Sequence, residues 1–267
     1  MLLTLKKGIT YGPVNSRRLG LSLGINLLPP SVKVCSFDCV YCQYGWTKVR
    51  EIRDEHRALI PRAEDVVRAV EAALAELPSP PAYITFSGHG EPSLHPDFPD
   101  IVEAVKETRN RLAPGAKTAI LSNSSAVSEE RTRKALARLD MRIMKLDCGT
   151  QTAFARYSRP APGLTLEAVT SGLAGLARLA PVTIQSLWSG GADGNLTASP
   201  KDGELGRHPE VSAWVDRLRR IKPAFVQVYS LDRDTPAKNL RKLGEDELGK
   251  IASLTQAAGI PASAFFR

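Results

Sequence analysis

The chain of 267 residues contains only four cysteines, and three of them lie within eight positions. This crowding does not resemble a disulfide framework, and in a reducing compartment it indicates metal ligands. No apolar run approaches the length of a membrane-spanning helix, and the opening stretch "MLLTLKKGIT" is too short and becomes charged too early for a signal peptide. We therefore expect a cytoplasmic protein that does not associate with membranes.

The sequence also lacks a low-complexity linker and an internal repeat. The absence of a period of about 20–50 residues excludes a solenoid or a propeller, and we expect residues 1–267 to form a single domain. A formal net charge of +8 and an isoelectric point of about 9.4 favour an anionic partner. Apart from "SRR" at 16–18 and "RLRRIK" at 217–222, however, the basic residues are dispersed, as on a solvated surface.

Short runs of apolar and β-branched residues alternate with longer segments of helical periodicity. In the segment 62–77, for example, Val66, Val70 and Leu77 fall on one helical face. Strands alternating with helices predict an α/β fold with a parallel sheet, either open and doubly wound or curved into a partial barrel. The predicted strands are 21–28, 82–87, 117–122, 141–147, 181–187 and 224–230; the predicted helices are 62–77 and about 97–112, 128–139, 164–180, 208–221 and 245–258.

Polar and glycine-rich stretches follow the ends of four predicted strands, at 87–91, 122–124, 147–149 and 186–191. In parallel α/β folds the chemistry gathers at the carboxyl ends of the strands. This placement of polar residues is typical of an enzyme.

The cysteines of "CSFDCVYC", Cys35, Cys39 and Cys42, are related as i, i+4 and i+7. A helix with a cysteine stripe facing the core is one interpretation, but a Pro-Pro pair before the triplet and a glycine after it favour a loop. A structural zinc site is a second interpretation, although it normally takes four protein ligands and no CxxC partner follows. A 4Fe-4S cluster is the third, because three thiolates leave one iron open to a substrate or cofactor.

The CxxxCxxC spacing, with Tyr41 before the last cysteine, resembles the signature of the radical SAM superfamily. In that superfamily the three cysteines, here Cys35, Cys39 and Cys42, bind a 4Fe-4S cluster whose fourth iron is chelated by S-adenosyl-L-methionine. The resemblance implies reductive cleavage of S-adenosylmethionine to a 5′-deoxyadenosyl radical that abstracts hydrogen from a substrate, so that the cofactor carries the chemistry. It also implies a partial (β/α)6 TIM-type barrel with outer helices, a cluster loop over about 28–45, and short terminal extensions.

The stretch "TFSGHGEP" (85–92) is similar to the family's GGE-type motif, which contacts the methionyl amino group. Gly88 and Gly90 permit close backbone approach, and Glu91 can accept hydrogen bonds from an ammonium group. His89, within the same turn, is expected to be a hydrogen-bonding fixture rather than an acid–base catalyst. A tight turn with a solvated glutamate is the alternative, but the position after the cluster loop favours the motif.

Further stretches, among them "LSNSS" (121–125) and "KLDCGTQTAFARYSRP" (145–160), resemble a branch near the wyosine synthase-like radical SAM proteins. Wyosine synthases carry a second cluster on additional cysteines, which this sequence lacks. Two substrate classes stay open, a tRNA base and a small, anionic molecule; we favour the second because no RNA-binding appendage is evident. Either would need an electron donor such as flavodoxin or ferredoxin. A non-catalytic iron–sulfur or zinc protein is the alternative from another class.

Other candidate cofactor contacts lie beside these motifs. Tyr41 is expected near the adenine or, alternatively, in the core. Asn123 and Ser122 are placed to reach the ribose or the methionyl group, or to cap the following helix. Lys145 and Asp147 share one side of a predicted strand, so they could contact S-adenosylmethionine or pair with each other.

Gln185 and Thr183 are two residues apart on the next predicted strand, so we expect both side chains to face the barrel interior in the same way. Cys148 has no companion cysteines, so it is either a buried thiol or, as a candidate catalytic residue, a radical relay at the mouth of the barrel. Arg17 and Arg18 could bind a phosphate or carboxylate of the substrate, or pin the N-terminal segment to the barrel.

Overall fold

The computed structural model describes residues 1–16, 20–197 and 205–266, so the candidate anion-binding pair Arg17 and Arg18 lies outside the described residues. The strands are β1 Thr10–Ser16, β2 Gly20–Ile25, β3 Tyr83–Phe86, β4 Lys117–Ser122, β5 Met141–Lys145, β6 Thr183–Leu187, β7 Ser189–Gly190, β8 Phe225–Tyr229, β9 Arg241–Lys242 and β10 Ala262–Phe265. The α-helices are α1 Asp54–Arg57, α2 Ala63–Glu76, α3 Phe98–Leu112, α4 Glu130–Arg138, α5 Gln151–Ala153, α6 Leu166–Leu179, α7 Pro209–Ile221 and α8 Glu245–Ala257. Among the helices within these ranges, none has the length and apolar character needed to cross a membrane.

The main sheet has the strand order β1-β2-β3-β4-β5-β6-β8-β10. All pairs from β2 to β10 are parallel. The helices pack against one another along the sheet in the order α2, α3, α4, α6, α7 and α8. This is a partial TIM-type barrel with outer helices, one of the two architectures left open by the strand pattern and the one that the family resemblance implies. The six predicted strands correspond to β2, β3, β4, β5, β6 and β8, and the six predicted helices to α2, α3, α4, α6, α7 and α8.

The two edge strands of this sheet were not predicted. Strand β1 contains a Gly-Pro pair, pairs antiparallel with β2 and changes register between Tyr11 and Val14. Such interruptions are tolerated at a sheet edge but obscure the alternation that identifies a strand. Strand β10 has only four residues, and its pairing with β8 is what defines it.

The hydrophobic core lies between the sheet and the helices. Ile84 and Phe86 of β3 are fully buried, and the Phe86 ring packs edge-to-face on Phe98 of α3 with centroids 5.8 Å apart. At the other side of the fold, Trp188 and Trp214 make a similar contact at 5.2 Å. Edge-to-face aromatic pairs stabilise beyond the area they bury, so these two contacts help to hold α3 and α7 against the sheet.

The opposite face of the sheet lines the barrel interior, as the alternation of strand side chains requires. A small apolar cluster separate from the main core forms its floor and consists of Tyr83, Ala119, Met141 and Ile143. Above it lies a polar layer, in which Ser22 bonds Thr85 at 2.7 Å and Gln185 donates to Gln227 at 2.9 Å. The interior thus becomes polar toward the carboxyl ends of the strands.

Two glycines of α6 provide a matched test of helix packing. A Cβ at Gly172 would lie 2.6 Å from Val127 Cγ2 and 2.9 Å from the Val127 carbonyl carbon, whereas at Gly175 the nearest atom is Arg133 Cδ at 3.4 Å. We expect Gly172→Ala to lower the free energy of unfolding by about 1–3 kcal/mol through overpacking. Gly175→Ala should raise it by about 0.5–1 kcal/mol through helix propensity. Urea denaturation measures both changes, and equal effects would contradict this packing.

Candidate functional site

The cysteine triplet lies in an irregular loop between β2 and α1, so the loop prediction is confirmed and the helical cysteine stripe is wrong. The amide of Cys42 donates to the Cys39 carbonyl at 3.0 Å, and the amide of Gly45 donates to the Cys42 carbonyl at 2.9 Å. The loop is anchored where the amide of Cys35 donates to the Val49 carbonyl at 3.0 Å. Consecutive turns therefore present the three sulfurs from one short segment.

The three thiols lie within electrostatic reach of one another. Burial raises the pKa of Cys35 to about 12 against the opposing charge of Lys33, and burial followed by the other two cysteines raises the pKa of Cys39. The Lys33 ammonium donates to Cys42 Sγ at 3.1 Å, and Asn123 Nδ2 lies 3.4 Å from Cys35 Sγ. Buried thiols of this kind ionise when a metal centre compensates the thiolate charge.

The number of donors separates the two metal interpretations. The loop supplies the three thiols of Cys35, Cys39 and Cys42, whereas a structural zinc site normally takes four protein ligands. Three thiolates suit an iron–sulfur cluster, because they leave one iron open to a substrate or cofactor. The donor set therefore fits a cluster better than a zinc ion.

The cysteine loop rests directly on the turn after β3. A Cβ at Gly90 would lie 1.9 Å from the Val34 carbonyl oxygen and 2.4 Å from Leu28 Cδ1. The amide of Glu91 donates to the same Val34 carbonyl at 3.1 Å. Only glycine permits this approach, which brings the residue before Cys35 against the 88–91 motif.

An unsatisfied buried acceptor, Asn26 Oδ1 at the end of β2, faces the same turn. Gly88 has a φ of 144°, and a Cβ there would lie 2.4 Å from Asn26 Oδ1. Asn26 donates through Nδ2 to the Leu28 carbonyl at 2.9 Å, but within the described part of the chain its buried Oδ1 has no partner. Buried acceptors are normally satisfied, so this corner fits a ligand that donates hydrogen bonds, such as an amino group.

Glu91 is a buried carboxylate that joins the ends of β3 and β4. Its Oε1 accepts from the Ser93 amide at 3.1 Å, the Ser93 hydroxyl at 2.6 Å and the Ser122 hydroxyl at 2.9 Å. Its Oε2 accepts from the Asn123 amide at 2.5 Å. Burial raises the pKa of Glu91, although these hydrogen bonds oppose the shift. Oε2 retains capacity for a second donor, as a contact with a methionyl amino group requires.

His89 is fully buried and bonded through both ring nitrogens. Nδ1 accepts from the Lys6 amide at 2.9 Å, so Nε2 is the protonated nitrogen that donates to the Pro29 carbonyl at 2.8 Å. Burial lowers the pKa of His89, which favours this neutral form. Neither nitrogen is free for a cofactor, and the ring instead fixes the N-terminal segment and the cysteine loop to the motif.

A network of polar groups occupies the end of β5. Asp147 accepts from Lys145 Nζ at 2.9 Å and from the Leu187 amide at 2.7 Å through Oδ1, and from the Tyr41 hydroxyl through Oδ2. Lys145 also donates to the Tyr229 hydroxyl at 2.8 Å. Burial would lower the pKa of Lys145, but Asp147 and Tyr229 outweigh it and raise the pKa. Lys145 and Asp147 thus pair with each other, one of the two alternatives left open by the sequence.

Asn123 and Ser122 both donate hydrogen bonds to the Glu91 carboxylate. They do not cap the next helix, whose N-cap residue is Glu129. Besides its amide contact to Glu91, Asn123 donates through Nδ2 to the Ser36 hydroxyl at 3.0 Å. Asn123 therefore links the end of β4 to the cysteine loop.

Gln185 lies in the polar layer of the barrel, where its Nε2 donates to Gln227 Oε1. For Cys148 the sequence left open a buried thiol or a catalytic radical relay at the barrel mouth, and the structure favours the buried thiol. Cys148 is 0% exposed and belongs to the main hydrophobic core, and burial raises its pKa well above the usual range.

Sequence reasoning missed Lys33, Asn26, Gln227 and Tyr229. The pattern in "FVQVYS" contains a signal for two of them, because Gln227 and Tyr229 alternate with buried valines and so face inward. Lys33 stands in the apolar stretch "SVKVC" two residues before Cys35, but a lysine at that position is not distinguished from a surface residue by pattern alone.

A cavity of about 370 Å³ lies beside this network. Gln43, which follows Cys42 directly, and Tyr229 both line it, and its rim carries Arg233, Lys242 and Asp232. The cavity therefore adjoins the cysteine loop and the polar chain from Tyr229 to Asp147.

Removing the close approach at Gly90 should displace the cysteine loop. We expect Gly90→Ala to lower the free energy of unfolding by about 1–3 kcal/mol and to reduce the iron bound after anaerobic reconstitution, measured by iron analysis. Gly115→Ala is the matched control, because a Cβ at Gly115 has no atom within 4 Å. Normal stability and iron content in the Gly90 variant would contradict the contact.

Comparisons with known proteins place the chain in a family. The model of the Radical SAM superfamily matches residues 30–187. A UPF0026 protein of Helicobacter pylori (strain 26695) is 31% identical over 244 residues, which cover 91% of this chain and 72% of that protein.

Two solved structures show a similar fold at low sequence identity. Streptococcus suis SuiB bound to S-adenosylmethionine aligns with a TM-score of 0.61 and 15% identity, covering 91% of this chain but only 50% of SuiB. TYW1 with a lysine-pyruvate adduct bound aligns with a TM-score of 0.60 and 17% identity, covering 88% of this chain and 73% of TYW1. The superfamily match spans more than half of the 267 residues and includes the cysteine loop and the strand ends that surround it. The chain therefore belongs to the Radical SAM superfamily.

Proposed function

We propose that the protein is a radical SAM enzyme whose cluster ligands are Cys35, Cys39 and Cys42. The observation that carries the proposal is the docking of their loop on the 88–91 motif, where Gly90 allows contact with the Val34 carbonyl. When bound, a 4Fe-4S cluster and S-adenosylmethionine would supply one-electron cleavage to a 5′-deoxyadenosyl radical that abstracts hydrogen from the substrate. Three cysteines are the right number, because one iron stays open for the cofactor.

The residues around the loop suit the polar groups of S-adenosylmethionine. Asn26 Oδ1 and Glu91 Oε2 are acceptors for the methionyl amino group beside Gly88. Lys145 uses two of its three N–H donors on Asp147 and Tyr229, which leaves one for a carboxylate or a hydroxyl. Tyr41, held by its bond to Asp147, would form the wall near the adenine.

We favour a small, anionic substrate in the cavity beside Gln43 and Tyr229. The volume of about 370 Å³ suits a small molecule. The residues that line the cavity include two cations, Arg233 and Lys242, against one carboxylate, Asp232. Guanidinium and ammonium groups recognise carboxylates and phosphates. A low-potential electron donor such as flavodoxin or ferredoxin would supply the electron.

A tRNA base is the second candidate substrate. The net charge of +8 favours it, as does the exposed Trp46, which is 42% accessible and stacks with Arg159 at 4.7 Å beside the cysteine loop. Aromatic and arginine side chains together stack on unpaired bases.

The first test measures cleavage of S-adenosylmethionine. After anaerobic reconstitution with iron and sulfide and reduction by dithionite, we expect the wild-type protein to form 5′-deoxyadenosine, measured by liquid chromatography. Cys39→Ala should lose the cluster absorbance and the product, because one iron loses its thiolate.

Cys148→Ala is the matched control, since this cysteine is buried in the core and is not one of the three cysteines of the loop. It should retain both signals. Cluster absorbance without any 5′-deoxyadenosine in the wild type would instead indicate a non-catalytic iron–sulfur protein, and cluster absorbance surviving in Cys39→Ala would refute the ligand assignment.

Binding to bulk tRNA separates the two substrate classes. For a small substrate we expect no saturable binding at low salt. Affinity that falls about a thousandfold between about 50 and 200 mM salt indicates several phosphate contacts and would favour the tRNA base. In that case Trp46→Ala should weaken the binding measured by fluorescence anisotropy.

A further inference from the structure

We propose that Lys33 is a positioning residue that acts through the Cys42 sulfur to raise the reduction potential of the cluster. This inference rests on the proposed function, because it requires a cluster on the three cysteines. It assigns a role to a side chain outside the cysteine motif and outside the 88–91 turn.

Lys33 is a buried ammonium with few partners. Its side chain belongs to a residue only 5% exposed, and Nζ donates to Cys42 Sγ at 3.1 Å and to the Gly45 carbonyl at 2.6 Å. In the described ranges, no Asp or Glu forms an ion pair with Lys33. Burying an ammonium group without a counterion costs free energy. The Lys33 ammonium is therefore stabilised when the Cys42 sulfur beside it is a negatively charged thiolate.

The loop supplies that counterion when its thiols ionise. Lys33 also acts electrostatically on the Cys35 thiol, so its charge reaches two of the three sulfurs. Reduction adds one negative charge to a cluster held by these thiolates, and a nearby fixed cation stabilises the reduced form more than the oxidised form. Hydrogen bonds to the cysteine sulfurs and local charge set cluster potentials in this way.

Lys33 is a stronger donor to a cysteine sulfur than Asn123 is. Asn123 Nδ2 is neutral and lies 3.4 Å from Cys35 Sγ, whereas Lys33 is charged and 0.3 Å closer to its sulfur (3.4 against 3.1 Å). Charge-assisted hydrogen bonds are roughly twice as strong as neutral ones. The charge at Lys33 therefore acts on the cluster more strongly than the neutral Asn123 donor does.

The alternative is a purely structural role. By donating to the Gly45 carbonyl, Lys33 also closes the turn that follows Cys42. A structural role predicts loss of cluster content when Lys33 is replaced, but no change in the potential of the clusters that remain.

The test is a redox titration of the reconstituted protein without S-adenosylmethionine, followed by electron paramagnetic resonance of the reduced cluster. We compare wild type with Lys33→Met, which keeps the apolar stem, and with Lys33→Arg, which keeps charge and donors. Lys48→Met is the matched control, because Lys48 is exposed and its loss removes the same charge from the same segment. Iron and sulfide analysis reports cluster content separately.

At a fixed potential, we expect Lys33→Met to lower the ratio of reduced to oxidised cluster at least tenfold, a shift of about 59 mV for one electron. Lys33→Arg should stay within about threefold of wild type, and Lys48→Met should be unchanged. If Lys33→Met binds no cluster, Lys33→Gln, which keeps a donor without the charge, should show a shift in the same direction.

An unchanged potential in a cluster-bearing Lys33→Met or Lys33→Gln protein would overturn the proposal. Loss of cluster from both, with wild type loaded, would also overturn it in favour of the structural role. Absence of a cluster from the wild type would refute the proposed function itself, which is a distinguishable result.

Discussion

The hydrogen bond from the Glu91 amide to the Val34 carbonyl, 3.1 Å long, is the contact on which the site depends. It joins the cysteine loop after β2 to the turn after β3, and it forms only because Gly90 has no side chain to meet the Val34 carbonyl. From this point the Glu91 carboxylate reaches Ser122 and Asn123 at the end of β4. One close backbone approach therefore fixes the relative position of three strand ends.

Around that contact, buried charges have partners of three kinds. Glu91 is surrounded by hydroxyl and amide donors, which stabilise a carboxylate without a cation. Asp147 instead pairs with Lys145. Lys33 has neither arrangement, since its side-chain partner is the Cys42 sulfur. In the first two centres the charge already has protein partners, whereas Lys33 gains a charged partner only when the sulfur becomes anionic.

The periodicity of the sequence was sufficient to predict the six central strands and the helices between them. Each of these strands is flanked by an amphipathic helix, so the local pattern and the tertiary packing require the same structure. Edge strands β1 and β10 were not predictable, because β1 is interrupted by Gly-Pro and β10 is four residues long. Their conformation depends on pairing with strands that come from elsewhere in the chain.

The sequence by itself determined the spacing of Cys35, Cys39 and Cys42 and their location in a loop, because cysteine chemistry and the flanking Pro and Gly residues are local properties. Tertiary structure decided which candidates have partners. His89 bonds Lys6 and Pro29, Cys148 is enclosed by the core, and Lys33 meets Cys42. Burial and hydrogen-bond partners are set by segments that meet only in the folded chain, so residue type and spacing do not reveal them.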